Sequence, residues 1–245
     1  MAQAGAGFAS YRGELKHNGS IQNEISNLSL GIEARLLPKI GIRAELGRYS
    51  LRGNDRHAID SSFAQQRNLS FSSVNYEASI QGIFFLKKYA KNYTKRAKCD
   101  PYLLAGIGGT YFSPQAELAG QKYNLYELST EDKDYSRFAL IIPVGAGLKW
   151  KINPFVNLAT EITYRFTFTD YLDDVSGNYP ASYPDITTEL LSNRKDEIPV
   201  VNQAAYDLLT NGNPRGDSSN KDAYLFLNFK VEFYLPPGLF SKKKS

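Results

Sequence analysis

The sequence predicts an all-β fold, an eight-stranded antiparallel up-and-down barrel that crosses a membrane as a single domain over residues 1–245. Three observations carry this expectation. Apolar residues alternate with polar ones over runs longer than ordinary globular strands. The polar face of those runs carries acidic and basic residues in matching number. The connections alternate between short and long, which places tight turns at one end and loops at the other.

The elements follow in order. AGAGFASYR (4–12) is a first, weaker strand. In 27–37, Leu28, Leu30, Ile32, Ala34 and Leu36 share one face, and Asn27, Ser29, Gly31, Glu33 and Arg35 share the other. A turn at Pro38-Lys39 leads to 40–51, where Ile40, Ile42, Ala44 and Leu46 oppose Arg43 and Glu45. In 71–86, Val74, Tyr76, Ala78, Ile80, Phe84 and Leu86 oppose a face that includes Glu77 and Gln81. PYLLAGIGGTYF (101–112) reads as a strand, but its glycines leave the phase open. In 136–151 the apolar row from Phe138 to Trp150 opposes Gly145, Gly147 and Lys149. Strand 155–168 sets Leu158, Ile162, Tyr164, Phe166 and Phe168 against Glu161 and Arg165, and 223–235 sets Leu225, Leu227, Phe229, Val231 and Phe233 against Lys230 and Glu232. Short connections fall at 38–39 and 152–154, an intermediate one at 87–100, and long ones at 13–26, 52–70, 113–135 and 169–222. Within the longest, Pro199, the stripe Val200, Val201, Ala204, Leu208 and Leu209, and Gly212 predict a helix over 199–212.

The face that points inward decides the function. The polar face holds Glu33, Glu45, Glu77, Glu161 and Glu232 against Arg35, Arg43, Lys149, Arg165 and Lys230. A barrel of eight strands, the size of OmpA or OmpX, has an interior only wide enough for side chains. Charges there must neutralise one another, because an unpaired one is costly in a dry interior. The expected lumen is therefore a plug of ion pairs and not an open channel. The apolar face, turned to water, would form a girdle far larger than monomers tolerate; turned to lipid it needs no cover, and closure satisfies every backbone group. A soluble lipocalin-type barrel wants the reverse arrangement, and a sandwich fits the lopsided loops less well.

Composition agrees and sets exclusions. Charged residues are 22% and hydrophobic ones 42%, which excludes a disordered chain. The 17 Tyr and 14 Phe against one Trp suit strands and membrane interfaces. Mean hydropathy is −0.39, and no run approaches the roughly 18 apolar residues of a membrane helix, whereas a barrel strand needs only about 9–11 alternating ones. Cys99 is the one cysteine, so no disulfide framework or thiolate zinc site is available. The net charge of +4 is local, in KKYAKNYTKRAK (87–98) and SKKKS (241–245), with no nucleic-acid recognition module beside it. The start MAQAGAG lacks the regions of a signal peptide, so the chain reads as a mature form behind an initiator Met.

The functional readings are three. With the N-terminus periplasmic, Lys87, Lys88, Lys91, Lys95, Arg96 and Lys98 face the periplasm and form a docking surface for an acidic partner; solvated turn charge or contact with anionic lipid remains open. Asp170, Asp173 and Asp174 in TDYLDDVSGNY offer oxygen ligands, but the spacing is not that of an EF-hand and turn chemistry explains them, so no metal is expected. Tyr164, Phe166, Phe168 and Tyr171 are expected on the outer aromatic girdle. His17 and His57 are the only histidines; His57 with Ser61 or Ser62 is the sole trace of a hydrolase, too little to expect an enzyme, and nothing calls for a cofactor.

RNLSF (67–71), VNYEASI (74–80), PYLLAGIG (101–108), IIPVGAGLKW (141–150), YRFTFTDYLDDVSGNY (164–179) and DAYLFLNFKVEF (222–233) resemble, in order, the PorG-like outer-membrane barrels of the Bacteroidetes type IX secretion system. TDYLDDVSG is the most distinctive stretch. The resemblance spans nearly the whole chain. It implies an integral outer-membrane barrel of a Gram-negative bacterium, in contact with membrane lipid and with a periplasmic PorK–PorN ring. The alternative reading, from another class, is a small scaffold or surface-binding barrel that works through its long extracellular loops.

Overall fold

A computed structural model describes residues 1–15, 24–58, 62–87 and 96–235. Its strands are β1 (Ala2–Arg12), β2 (Asn27–Arg35), β3 (Ile40–Asn54), β4 (Ser70–Phe85), β5 (Cys99–Tyr111), β6 (Pro114–Leu118), β7 (Gln121–Asn124), β8 (Phe138–Lys151), β9 (Val156–Thr167) and β10 (Ala223–Phe233). Eight of them close into an antiparallel barrel in the cyclic order β1-β2-β3-β4-β5-β8-β9-β10, with β10 returning to β1. Ala2 lies opposite Ile32, Ile32 opposite Ala44, Ala44 opposite Ile80; continued through Phe166 and Ala223, the register returns to β1 at Arg12. That offset of about ten residues tilts the strands against the barrel axis.

The side-chain alternation sets the two faces. On β4, Phe71, Ser73, Asn75, Glu77, Ser79, Gln81, Ile83 and Phe85 are buried, while Val74, Tyr76, Ala78, Ile80, Gly82 and Phe84 are exposed. The open phase of β5 resolves the same way: Leu103, Ala105, Ile107 and Tyr111 are exposed, and Tyr102, Leu104 and Thr110 point inward. Leu30, Ile32, Leu46, Ile80, Ile107, Leu140, Ile162 and Phe229 form one exposed apolar belt. A closed sheet with such a belt and a buried polar interior spans a membrane.

The pattern flips above the belt. On β3 the outward face passes from Leu46 to the exposed Arg48 and Arg52, while the inward face passes from Glu45 to the fully buried Tyr49 and Leu51. Inward residues at this end form an apolar core that includes Tyr11, Phe71, Phe112, Tyr224 and Phe226. Tyr49 stacks on Tyr224 at 4.7 Å and meets Phe226 edge-on at 5.0 Å. Where water replaces lipid outside, the wall reverts to the ordinary polar-out arrangement.

The turns at the opposite end are tight. Leu36 and Leu37 N–H both donate to the Ile40 carbonyl, leaving Pro38 at the tip where no N–H is needed. Asn153 Oδ1 accepts from Phe155 N–H at 2.8 Å and Val156 N–H at 2.9 Å, which closes the β8–β9 turn.

The long connections hold elements that the alternating pattern does not announce. β6 and β7 form a hairpin through Ala119 (φ 52) and Gly120 (φ 81), the twist a two-residue hairpin turn requires; it stands on the upper part of β4. Helices α1 (Ser62–Arg67), α2 (Leu125–Leu128) and α3 (Ile186–Ser192) are further additions. The helix expected over 199–212 is only α4 (Gln203–Leu208). Asn202 caps it by accepting from Ala205 N–H at 3.1 Å, so it starts well after Pro199, and Val200 and Val201 stay exposed.

Candidate functional site

Within the belt, nine of the ten charges expected in the lumen form one connected ladder. Lys149 Nζ lies 2.7 Å from Glu33 and 2.8 Å from Glu232. Arg43 joins Glu33 at 3.0 Å to Glu161 at 2.6 Å. Lys230 joins Glu161 at 2.7 Å to Glu45 at 2.6 Å. Arg165 reaches Glu45 at 3.9 Å and holds Glu77 at 3.1 Å. All nine side chains are buried. Five carboxylates meet four cations here, and neutral donors take up the surplus acceptors. Tyr102 donates to Glu161 at 2.6 Å, Tyr224 to Glu77 at 2.7 Å, Gln3 to Glu45 at 2.9 Å and Asn157 to Glu232 at 3.0 Å.

The tenth charge sits elsewhere. Arg35 lies at the end of β2, where it pairs with Asp100 at 3.0 Å, donates to the Lys87 carbonyl at 2.7 Å and covers the Phe85 ring at 3.8 Å. It belongs to the rim of the short-turn mouth and not to the ladder. The sequence pattern does not single out Asp100, its acid, because it falls in the connection 87–100, whereas β5 already starts at Cys99. Arg35, Asp100, Lys149, Lys151 and Tyr234 line a cavity of about 330 Å³ at this mouth, closed toward the membrane centre by the ladder.

Inward glycines make room for the ladder. The Tyr102 ring lies where a Cβ on Gly147 would stand. Gly147→Val should therefore push Tyr102 off Glu161 and cost about 1–3 kcal/mol of overpacking in addition to the lost bond. In urea unfolding from detergent micelles it should be clearly less stable than Tyr102→Phe, which loses the hydroxyl alone; equal midpoints would contradict this packing.

Of the six residues expected to dock a partner, Lys87 and Lys98 are exposed. Arg96 is not presented outward: it donates to Asn157 at 2.9 Å and to the Pro154 carbonyl at 2.7 Å, and packs over Tyr234 at 5.0 Å. It ties the residues just before β5 to the β8–β9 turn. Lys88, Lys91 and Lys95 lie outside the described residues, as do His17 and Ser61. Cys99 is a free, half-buried thiol.

The long-loop mouth of the barrel is capped by loop 169–222. Buried Arg215 pairs with Glu131 at 3.0 Å and Asp174 at 3.6 Å. Arg67 pairs with Asp55 at 2.8 Å and donates to the Arg215 carbonyl at 2.6 Å. Tyr171 stacks on Tyr135 at 4.4 Å inside this cap, so it is not a girdle residue, whereas Phe166 and Phe168 are exposed outward.

The three aspartates singled out in TDYLDDVSG do not converge. Asp173 accepts from Leu15 and Val175 N–H, and Asp174 from Thr130 and Tyr135 hydroxyls. Asp170 instead meets Glu14 and Asp222, two acids that no local motif joins to it because they lie far apart in the chain. Burial raises these carboxyls, helped at Glu14 and Asp222 by like charge nearby: Glu14 to about 8, Asp170 to about 6, Asp173 to about 7, and Asp222 well above its usual value.

A lipid-facing belt, a sealed ionic lumen, tight turns at one end and a folded cap at the other make the architecture of an integral outer-membrane barrel of the Gram-negative type. A family model described as "Domain of unknown function (DUF6089)" matches residues 9–186. No curated protein matches the chain. Among solved structures it is similar to neisserial surface protein A (NspA), at 13% identity over 96% of each chain with a TM-score of 0.45. It is also similar to a major outer membrane protein from Thermus thermophilus, at 13% identity over 95% of this chain and 97% of that one, TM-score 0.43. A third likeness is to the N-terminal β-barrel domain of Pseudomonas aeruginosa OprF, at 9% identity over 95% of each chain, TM-score 0.41.

Proposed function

This chain belongs to the DUF6089 family, and we propose that within it the barrel is a non-enzymatic outer-membrane component of a type IX protein secretion machine, docking a periplasmic PorK–PorN-type ring. The observation that carries the reading is the ladder: a lumen blocked by nine buried, interlocked charges passes no polypeptide, so the part such a barrel plays in export is to anchor and position. The resemblance of TDYLDDVSG and its companion stretches to PorG-like barrels supplies the machine. The exposed Lys87 and Lys98, flanking a lysine-rich turn at the periplasmic mouth, supply the docking charge. Arg96 drops out of the docking set because the barrel itself holds it.

Charge reversal tests this directly. With Lys87, Lys91, Lys95 and Lys98 changed to Glu, the detergent-solubilised barrel should lose co-purification of the ring while still folding. Undiminished recovery of the ring would reject docking through this turn.

A second reading, a scaffold or surface-binding barrel, is favoured by one observation: the cap leaves Ile186, Leu190, Val200, Val201 and Leu208 exposed on its outer side. Deleting 180–215 separates the two. An export anchor keeps its ring without this segment, and a surface binder loses its ligand.

A further inference from the structure

Asp170 is 2% exposed, and among the described residues neither of its carboxylate oxygens accepts a well-formed hydrogen bond, the Ser176 hydroxyl being the donor that approaches it. Glu14 Oε2 is likewise buried without a donor, while its other oxygen accepts from Asp217 N–H at 3.2 Å. Asp222 accepts from the Tyr11 hydroxyl at 2.5 Å and from Leu172 N–H at 2.8 Å, which fixes its orientation. One oxygen from each of Glu14, Asp170 and Asp222 lies within 4.8 Å of the other two. A buried, unpartnered carboxylate is costly to keep ionised, and three close together more so. Among the described residues, the cations near them do not settle the charge. Lys221 is exposed to solvent, and Arg67 is committed to Asp55 at 2.8 Å.

We propose that Glu14, Asp170 and Asp222 form a calcium site at the base of the extracellular cap. Oxygens that all lie within 4.8 Å of one another can share one cation at the roughly 2.3–2.6 Å of Ca²⁺–oxygen bonds. The donors are all hard oxygens, which excludes the soft-ligand metals. Carboxylates from separate loops also suit the tolerant geometry of Ca²⁺ better than a strict octahedron. Glu14 follows β1, while Asp170 and Asp222 sit at the two ends of loop 169–222. The ion therefore closes that loop at its root and ties it to the first extracellular loop. The site is independent of any role in secretion.

The test uses the full chain refolded in a zwitterionic detergent and stripped with chelator. Titration of the wild type with CaCl₂ by calorimetry should give one equivalent per barrel, with MgCl₂ at least tenfold weaker. TbCl₃ should show luminescence sensitised through Tyr11 and quenched by Ca²⁺. Asp170→Asn and Glu14→Gln should each weaken Ca²⁺ binding at least tenfold, and Ca²⁺ should slow proteolysis of loop 169–222 in the wild type alone. Glu14→Gln keeps the chain's buried aspartates intact and decides the matter if Asp170→Asn does not fold. No Ca²⁺ uptake by the wild type, wild-type affinity in the folded variants, or Mg²⁺ binding as tight as Ca²⁺ would overturn the assignment.

Discussion

Glu161→Leu should destabilise the barrel by about 3–5 kcal/mol, the usual cost of stranding buried charge. Glu161 is fully buried at the middle of the ladder, where it is shared by Arg43, Lys230 and the Tyr102 hydroxyl. Leucine removes the acid between two cations and leaves a hydroxyl without its acceptor. The loss is read from the urea midpoint in lipid vesicles, or as failure to refold. A double variant, Glu161→Leu with Lys230→Met, should recover part of the loss, because it removes a stranded cation together with its acid. Wild-type stability of Glu161→Leu would mean that the ladder is decoration. A double variant no better than the sum of the singles would mean that Lys230 and Glu161 do not act as a pair.

The second large effect lies on the other face of the wall. Ile80 is exposed in the middle of the belt, in register with Ala44 and Ile107. Ile80→Arg should cost about 2–4 kcal/mol in refolding to vesicles, the penalty for a cation at the midplane of a barrel's lipid face. Arg48→Leu, at the level where the outward face has turned polar, should change stability by less than about 0.5 kcal/mol. If Ile80→Arg instead folds as well as wild type and makes the chain soluble without detergent, the belt faces water and the membrane assignment falls.

The two results test what is legible in the sequence. Eight strands and their facing can be read because a period of two survives wherever one environment lies on each side of the wall. Glu33, Arg43, Glu45, Glu77, Lys149, Glu161, Arg165, Lys230 and Glu232 can be placed in the lumen by phase alone, without knowing any partner. Arg35 obeys the same phase but sits where the wall ends, and Asp100 reads as part of the connection before β5 because the strand starts two residues earlier than its apolar pattern does. The β6–β7 hairpin carries a turn signal in Ala119-Gly120 that a glycine-free first position obscures. The cap is not legible. Arg67, Glu131 and Arg215 meet through loops whose only code is tertiary, and Tyr171 looks like a girdle residue because it follows three that alternate toward the membrane. Glu14 and Asp222 show no local signal at all; the β9–β10 pairing brings Asp222 to Asp170, and barrel closure, which pairs β1 with β10, brings Glu14.

The ladder also constrains how this lumen can change over generations. Each of its interior acids or bases answers to neighbours of opposite sign, so no lone replacement is neutral. A lineage that loses Lys230 must shed a carboxylate beside it or recruit a new cation from a facing strand. Divergence among related chains should therefore appear in the lumen as compensated pairs and triplets spread over strands distant in sequence, while the belt outside drifts one aliphatic residue at a time.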